Sequence, residues 1–336
     1  MLEVNNLTVC LTGGKNPRAQ KNRENLKILN NISFTVKEGE ILGLAGESGC
    51  GKSITALSIS GLLPPEINIT DGEIIFNGCN LAALKEKEFR KIRGSGISVI
   101  FQDVRQALNP TMKAGKQITE RLELGGNKNK AKNRAAALKM LSVLGFNDPI
   151  KIFNAYPHQL SGGMCQRIMT AIAVIRRPML LLGDEPSSSL DEESQKLCLS
   201  LLMEMNRDQK MSLIIISHDL SIIQNICTRF LIMYAGRIVE EGPAQALFTP
   251  LHPYTQALVN SLPGKDKRGK KLDSIPGKVA SVEDQLPGCP FALRCSKAGS
   301  ICAKAFPPEY FSQKKEKEAK ERKVYCYFPL TGEQNG

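Results

Sequence analysis

The sequence contains no tryptophan, only three histidines and 5% aromatic residues in all. A Trp-rich protein–protein face is therefore not expected, and a nucleic-acid surface that stacks bases on aromatic rings has little to be built from. No run of about 18 consecutive apolar residues occurs, so the chain does not read as spanning a bilayer by itself. The start, MLEVNNLTV, is polar and carries an acid at Glu3, unlike a secretory signal. No internal repeat is found. What is present is a globular composition, with 336 residues, 42% of them hydrophobic and 23% charged. This is enough for one large or two modest domains, and it excludes a wholly disordered or collagen-like chain. Lys+Arg 45 against Asp+Glu 33 gives a net +12. Residues 251–336 hold 15 basic and 9 acidic residues, so +6 of the excess lies there. Such an excess suits nucleic acid, an anionic membrane surface or polyphosphate, and does not choose among them. Ten cysteines in a chain read as cytosolic are not expected to pair as disulfides.

The first 250 residues alternate short β-type runs with helical stretches, which reads as an α/β layer fold. The runs Ile41–Ala45, Ile97–Phe101, Leu180–Asp184 and Leu213–Ser217 are short, apolar and continuous, as strands buried on both faces of a parallel sheet are. Residues 12–27 are polar and basic with Gly and Pro, and read as an exposed loop. Asp103–Leu160 lacks strand signals, carries a helical stretch around Lys130–Leu144, and reads as a helical insertion. After Pro250 the pattern breaks. Pro253, Pro263 and Pro276 with Gly264 and Gly277 mark a linker and a small, loop-rich C-terminal module.

The strand Ile41–Ala45 runs into Gly46-Glu47-Ser48-Gly49-Cys50-Gly51-Lys52-Ser53, and an apolar helix begins. This is G-x-x-x-x-G-K-[ST] in the strand–loop–helix context it requires. Glycines let backbone N–H groups curl around phosphate oxygens, and the helix N-terminus adds partial positive charge. Lys52 suits β- and γ-phosphate charge, and the Ser53 hydroxyl suits Mg²⁺. Cys50 fills a slot where only backbone is needed. A second strand, Met179–Gly183, delivers Asp184 and Glu185 at its C-terminal edge, where ligands of open α/β sheets bind. Asp184 suits the Mg²⁺ shell, and Glu185 is placed to polarise an attacking water. Alone, an apolar run ending in Asp-Glu reads more simply as a helix cap.

Between these two lies Leu160-Ser161-Gly162-Gly163-Met164-Cys165-Gln166-Arg167, opening a helix 109 residues after Lys52 and 23 before Asp184, counted from Ser161. Cradle, Ser-Gly-Gly helix and Asp-Glu in this order resemble an ATP-binding-cassette ATPase, which implies an α/β P-loop NTPase with a mixed sheet and a helical subdomain. The resemblance implies that Gln102 is the Q-loop glutamine, sensing Mg²⁺ and the membrane partner. It makes Ser188-Ser189-Leu190-Asp191 the D-loop and His218 the switch histidine that contacts the γ-phosphate. It also implies two cassettes facing head to tail, with ATP between one cradle and the other chain's Ser161, Gly162, Gly163 and Gln166. Binding then closes the dimer and hydrolysis releases it. Two departures stand out. Cys165 replaces the family's usual basic residue. The aromatic that commonly stacks on adenine falls near Cys10–Leu11, and neither residue is aromatic.

One set of motifs disagrees with tandem translation factors, the short interval between cradle and signature disagrees with coiled-coil repair ATPases, and exporters usually fuse membrane helices. The runs IFQDVRQALNP (Ile100–Pro110), LHPYTQALVNSLP (Leu251–Pro263) and GCPFALRCSKAGSIC (Gly288–Cys302) resemble the oligopeptide, dipeptide and nickel importer ATPases. This implies a peripheral subunit on the cytoplasmic face of the cell membrane. Its partners would be a second, non-identical ATPase subunit, two transmembrane permease subunits and an extracytoplasmic solute-binding protein, with no nucleic acid. Peptide is the expected cargo, nickel or another metal chelate the alternative. Domain bounds are read as 1–250 for the ATPase, with a helical subdomain at about 103–165, and 251–336 for the extension. A nucleic-acid-acting cassette ATPase is the runner-up, resting on the +12 and a basic tail.

Cys289, Cys295, Cys302 and Cys326 are spaced C-x5-C-x6-C-x23-C. Four thiolates suit an iron–sulfur cluster or a tetrahedral Zn²⁺. Zinc favours shorter C-x2-4-C pairs, and some members of the resembled importer group carry a [4Fe-4S] cluster on such cysteines; the cluster is the favoured reading, with zinc and unligated thiols as the alternatives. The charged run Ser312–Lys323 reads as a solvated helix with i,i+4 pairs.

Overall fold

The computed structural model describes residues 1–12, 26–262, 275–281, 284, 286–311 and 322–330. Most of the loop expected at 12–27, and the charged helix expected from Ser312 as far as residue 321, lie outside the described residues. The strands are β1 (Leu2–Leu11), β2 (Leu26–Val36), β3 (Ile41–Ala45), β4 (Ile67–Phe76), β5 (Cys79–Asn80), β6 (Ile97–Ile100), β7 (Leu180–Asp184), β8 (Ser212–Ile216), β9 (Arg229–Tyr234), β10 (Arg237–Pro243), β11 (Tyr310–Phe311) and β12 (Lys323–Val324). The helices are α1 (Lys52–Ser60), α2 (Glu86–Ile92), α3 (Val104–Ala107), α4 (Ala114–Leu124), α5 (Lys130–Val143), α6 (Pro149–Asn154), α7 (Gly162–Val174), α8 (Glu192–Gln209), α9 (Leu220–Ile226) and α10 (Pro253–Asn260). Two of the expected strand runs shift by a residue, because ladder partners rather than apolarity end a strand. Ile100 pairs with Gly183, and Ser212 pairs with Leu180.

The chain divides into two compact units. The first comprises Met1–Thr35, Leu42–Ala82 and His218–Gly336. In it β2, β1, β4 and β5 form a sheet in that order, with β1 antiparallel to β4 from Leu2↔Phe76 to Leu11↔Ile67. Leu2, Val4, Leu7, Val9, Leu29, Ile32 and Ile74 are buried there, each worth about 1.5–3 kcal/mol relative to exposure. A mixed ladder holds β3 parallel to β9, then β9 antiparallel to β10 and β10 to β12. The β9–β10 hairpin turns through Ala235 and Gly236, both at positive φ, the geometry that suits the twist of the flanking strands. From β3 the chain enters α1, which buries Ala56 and Ile59 and ends at Gly61 in a left-handed cap.

The second unit comprises Val36–Ile41 and Ala83–Ser217. Here β6, β7 and β8 run parallel, and every residue of β7 and β8 is buried. That burial explains their unbroken apolar runs. Between β6 and β7 the chain makes α3 to α6 and then α7. Asn129 and Asp148 cap α5 and α6 through side-chain acceptance of Lys132 and Lys151 N–H groups.

The β1–β4 ladder is irregular between Asn5 and Thr8, opposite Gly72. Gly72 has φ +87, and a Cβ there would lie 2.5 Å from the carbonyl oxygens of Asn5 and Asn6. Gly72→Ala is expected to destabilise the fold by about 1–3 kcal/mol, measured by urea unfolding.

Candidate functional site

In the first unit β3 delivers Gly46 to a loop that returns to α1 at Lys52. Gly46, Gly49 and Gly51 have φ of +149, +80 and +106. A Cβ on Gly46 would lie 2.2 Å from the Met233 carbonyl oxygen, and one on Gly51 2.6 Å from Leu29 Cδ2. The loop therefore presses against β9 and β2 as only glycine allows. Lys52 Nζ folds back into it, donating to the carbonyls of Gly46 at 2.8 Å and Glu47 at 2.9 Å. Cys50, expected to matter only through its backbone, is wholly buried. Burial pushes its thiol up while the Lys52 charge opposes. The first-turn N–H groups of α1, Lys52 and Ser53 among them, have no intrahelical acceptor. They face the loop without a side-chain cap.

Glu47 is tied at both ends. Its N–H donates to Tyr254 Oη at 2.7 Å, and its carboxylate takes Arg294 Nη1 at 2.6 Å and Nη2 at 3.1 Å. Neither partner was singled out in the sequence, and no local signal could have found them, since they lie 207 and 247 positions away. Beside the loop is a cavity of about 210 Å³ whose walls include Lys27, Ile28, Gly49, Arg237, Leu286 and Pro287. Cys10 and Leu11 are not among its lining residues; Cys10 is buried with its sulfur 3.3 Å from Thr70 Oγ1. His218 lies between β8 and α9 with its side chain exposed.

In the second unit Asp184 ends β7, and both it and Glu185 are buried. Glu185 holds a left-handed φ of +53, and its N–H donates to the Ile216 carbonyl at 3.0 Å. Such a conformation in a residue with a Cβ costs about 1–3 kcal/mol and fixes where the carboxylate starts. Ser161 caps α7 by accepting the Met164 N–H at 3.2 Å. Gln166 is fully buried and donates through Nε2 to the Pro186 carbonyl at 2.9 Å, fastening the Ser-Gly-Gly helix to the turn after Glu185. Asp191 caps α8 on the Ser194 N–H at 2.9 Å, which holds its carboxyl below the usual range. Gln102, Gly162 and Ser189 come together in an open cleft of about 460 Å³, with Asp103, Val104 and Arg105. Cys165 is buried with its sulfur 3.6 Å from the Pro157 carbonyl, so the departure at this position puts a thiol in the core.

Cys289, Cys295, Cys302 and Cys326 line one cavity of about 10 Å³ in the first unit, together with Phe291 and His252. The Cys289 N–H donates to the Cys302 carbonyl at 2.8 Å. Burial pushes the thiol of Cys289 up to about 12 and that of Cys326 up to about 11. His252 is buried, which pushes its pKa down to about 3, and its Nδ1 accepts the Tyr254 N–H at 3.0 Å. All four of these cysteine side chains carry sulfur and line the same cavity. Among the described residues no group of three or more His, Cys, Asp or Glu side chains is placed to hold a single metal ion.

A glycine loop leading into a helix, an acidic pair at a parallel strand end and a capped Ser-Gly-Gly helix define an ATP-binding-cassette ATPase. The family model described as ABC transporter matches residues 29–188, and that described as oligopeptide/dipeptide transporter, C-terminal region, matches 239–302. The dipeptide transport ATP-binding protein DppD of Bacillus subtilis is 41% identical over 311 residues, covering 91% of this chain and 90% of its own. The oligopeptide transport ATP-binding protein OppD of Salmonella typhimurium is 39% identical over 313 residues, covering 93% and 91%. A dimeric structure of MJ0796, a bacterial ABC transporter cassette, superposes with a TM-score of 0.65 at 26% identity, over 73% of this chain and 99% of that one. The chain belongs to the ABC transporter family, in the branch of ATP-binding subunits that carry the oligopeptide/dipeptide C-terminal region.

Removing the Gln166 side chain leaves the Pro186 carbonyl buried and unpaired. Gln166→Leu is expected to cost about 1–3 kcal/mol of stability, measured by denaturant unfolding of the purified chain.

Proposed function

We propose that this chain is the ATP-binding and ATP-hydrolysing subunit of an ABC importer that drives peptides through a separate permease. The observation that carries the reading is the loop Gly46–Ser53, with Lys52 already turned inward onto two carbonyls. Peptide cargo is supported by relatives named for dipeptides and oligopeptides; the nickel alternative gains nothing from them. Residues 1–250 are assigned to the ATPase, about 103–165 to its helical subdomain and 251–336 to the extension.

In this reading the backbone of Gly46, Glu47, Ser48, Gly49, Cys50 and Gly51 wraps the phosphates. Lys52 exchanges its carbonyl partners for phosphate oxygens; hydrogen bonds to a charged group are worth about 1.5–3 kcal/mol each. Ser53, Gln102 and Asp184 would hold Mg²⁺, which supplies charge neutralisation across the phosphates. Glu185 orients and polarises the attacking water, and His218 contacts the γ-phosphate. The cavity beside Gly49 receives the base between Ile28 and the Leu286–Pro287 wall, which is apolar contact in place of an aromatic stack. Ser161, Gly162, Gly163 and Gln166 serve the nucleotide of a facing cassette, with Asp191 in the D-loop between. The partners are a second, non-identical ATPase subunit, two permease subunits and an extracytoplasmic solute-binding protein. Among the described residues no helix is long and apolar enough to cross a membrane; the chain is assigned as a peripheral subunit at the cytoplasmic face by its likeness to transport ATP-binding proteins. No nucleic-acid partner is assigned.

Cys289, Cys295, Cys302 and Cys326 are assigned to a [4Fe-4S] cluster, which would tie the small module together through iron–thiolate bonds. Zn²⁺ is the alternative, weakened by the long gaps between cysteines. Because burial favours the neutral thiols, ligation releases protons.

Three measurements test these readings. In the complex reconstituted with permease, Lys52→Ala is expected to abolish peptide uptake. Glu185→Gln should keep ATP binding and lower turnover at least about 100-fold; unchanged turnover refutes the assignment. Protein purified anaerobically is expected to be brown with broad absorption in the blue, lost on replacing Cys289 or Cys302 by Ser. A colourless protein with one bound zinc rejects the cluster.

A further inference from the structure

The position of Glu47 poses a problem. A carboxylate in the first variable slot of a loop built for a triphosphate repels its ligand unless something cancels it. Arg294 does so from the C-terminal extension. Its Nη1 and Nη2 form a bidentate pair with the two oxygens of Glu47, at 2.6 and 3.1 Å. The side chain of Arg294 is 4% exposed and that of Glu47 23%, so water screens the pair little.

The remaining donors of the guanidinium are also used. Nε reaches the Pro276 carbonyl at 2.8 Å, Nη2 the Ile275 carbonyl at 3.2 Å and Nη1 the Tyr234 hydroxyl at 3.1 Å. A guanidinium has five N–H donors, and here every one has an acceptor. The fork is therefore held rigid, and Glu47 is held by it. The extension grips the same residue a second time through Tyr254 Oη, which accepts the Glu47 N–H at 2.7 Å. Tyr254 is itself packed against Phe291, ring centroids 5.2 Å apart. Phe291 and Cys295 line the four-cysteine cavity, and Arg294 lies between them in the chain.

We propose that Arg294 is a positioning residue of the phosphate loop, through which the cysteine-bearing extension sets this chain's affinity for nucleoside triphosphate. The proposal rests on the reading of Gly46–Ser53 as the ATP loop. It requires no particular occupant of the cysteine pocket. Arg294 neutralises Glu47 and fixes the loop's entry, so a disturbance of the module that displaces Phe291 or Cys295 withdraws the guanidinium and returns an uncancelled negative charge to the site. By reciprocity, bound triphosphate tightens the module.

The test is equilibrium binding of trinitrophenyl-ATP with Mg²⁺ to the full-length chain, alongside thermal unfolding. Arg294→Met is expected to weaken binding about tenfold, within the roughly 5–150-fold range of such couplings. Adding Glu47→Gln to Arg294→Met is expected to restore most of that loss, since no charge is then left uncancelled. A merely structural Arg294 would give no rescue. Hydrogen exchange supplies a second readout: ATP should slow exchange across residues 286–302 in the wild type and not in Arg294→Met. Should Arg294→Met fail to fold, Arg294→Lys keeps the charge but loses the fork, and is expected to weaken binding by a smaller factor. Wild-type affinity in Arg294→Met or Arg294→Lys, or a double variant as weak as Arg294→Met, overturns the proposal while leaving the ATP reading intact. A wild-type chain that does not bind the probe overturns both.

Discussion

A loop that wraps phosphate must turn its backbone inward, and then has no side chains of its own with which to hold its shape. At Gly46, Gly49 and Gly51 the chain adopts φ values that suit glycine, and contact with Met233 and Leu29 on neighbouring strands keeps the space for a Cβ closed. The loop is thus defined by what surrounds it. Lys52 occupies its interior, and the extension props Glu47 from outside. The rest of the first unit can be understood as the support such a loop needs.

The same logic of buried carboxylates recurs where the extension joins the sheet. Glu240 is fully buried, yet accepts the Leu251 and His252 N–H groups at 2.8 and 2.9 Å and Arg322 Nη2 at 2.9 Å. Glu241, next along β10, pairs with Arg229 at 2.5 Å, and Arg229 also donates to the Thr35 carbonyl. Desolvating such pairs costs much of what their attraction returns, so their worth as net stabilisation is small. Their geometry is exacting, however, and it specifies where β12 and α10 sit. Part of the basic excess of the chain's last quarter, Arg294 and Arg322, is therefore spent inside the first unit. A general electrostatic patch would leave those charges on the surface.

In the second unit the residues assigned to the proposed chemistry sit on helix starts and a strand end. Ser161 and Asp191 each cap a helix while belonging to the segments assigned to nucleotide, and Gln166 ties the Ser-Gly-Gly helix to the turn beyond Glu185. Local stability and site geometry share the same bonds there.

What the sequence determined by itself was local. β3 and β7 coincide with their apolar runs because strands buried on both faces need continuous hydrophobicity, and the glycine loop between β3 and α1 was legible because its glycines, lysine and serine fall within eight consecutive residues. The helix start at Ser161 was legible for the same reason, whereas the cap that Asp191 makes on α8 was not read from the sequence. Tertiary structure alone decided the partners of Glu47, the burial of Cys50 and Cys165, the absence of Cys10 from the cavity beside Gly49, and the convergence of four cysteines on one small pocket. The partners of Glu47 lie 207 and 247 positions away, and the four cysteines are spread from 289 to 326. No periodicity or spacing encodes which buried arginine meets which buried glutamate; only the packed chain, which must satisfy every charge it removes from water, makes that choice.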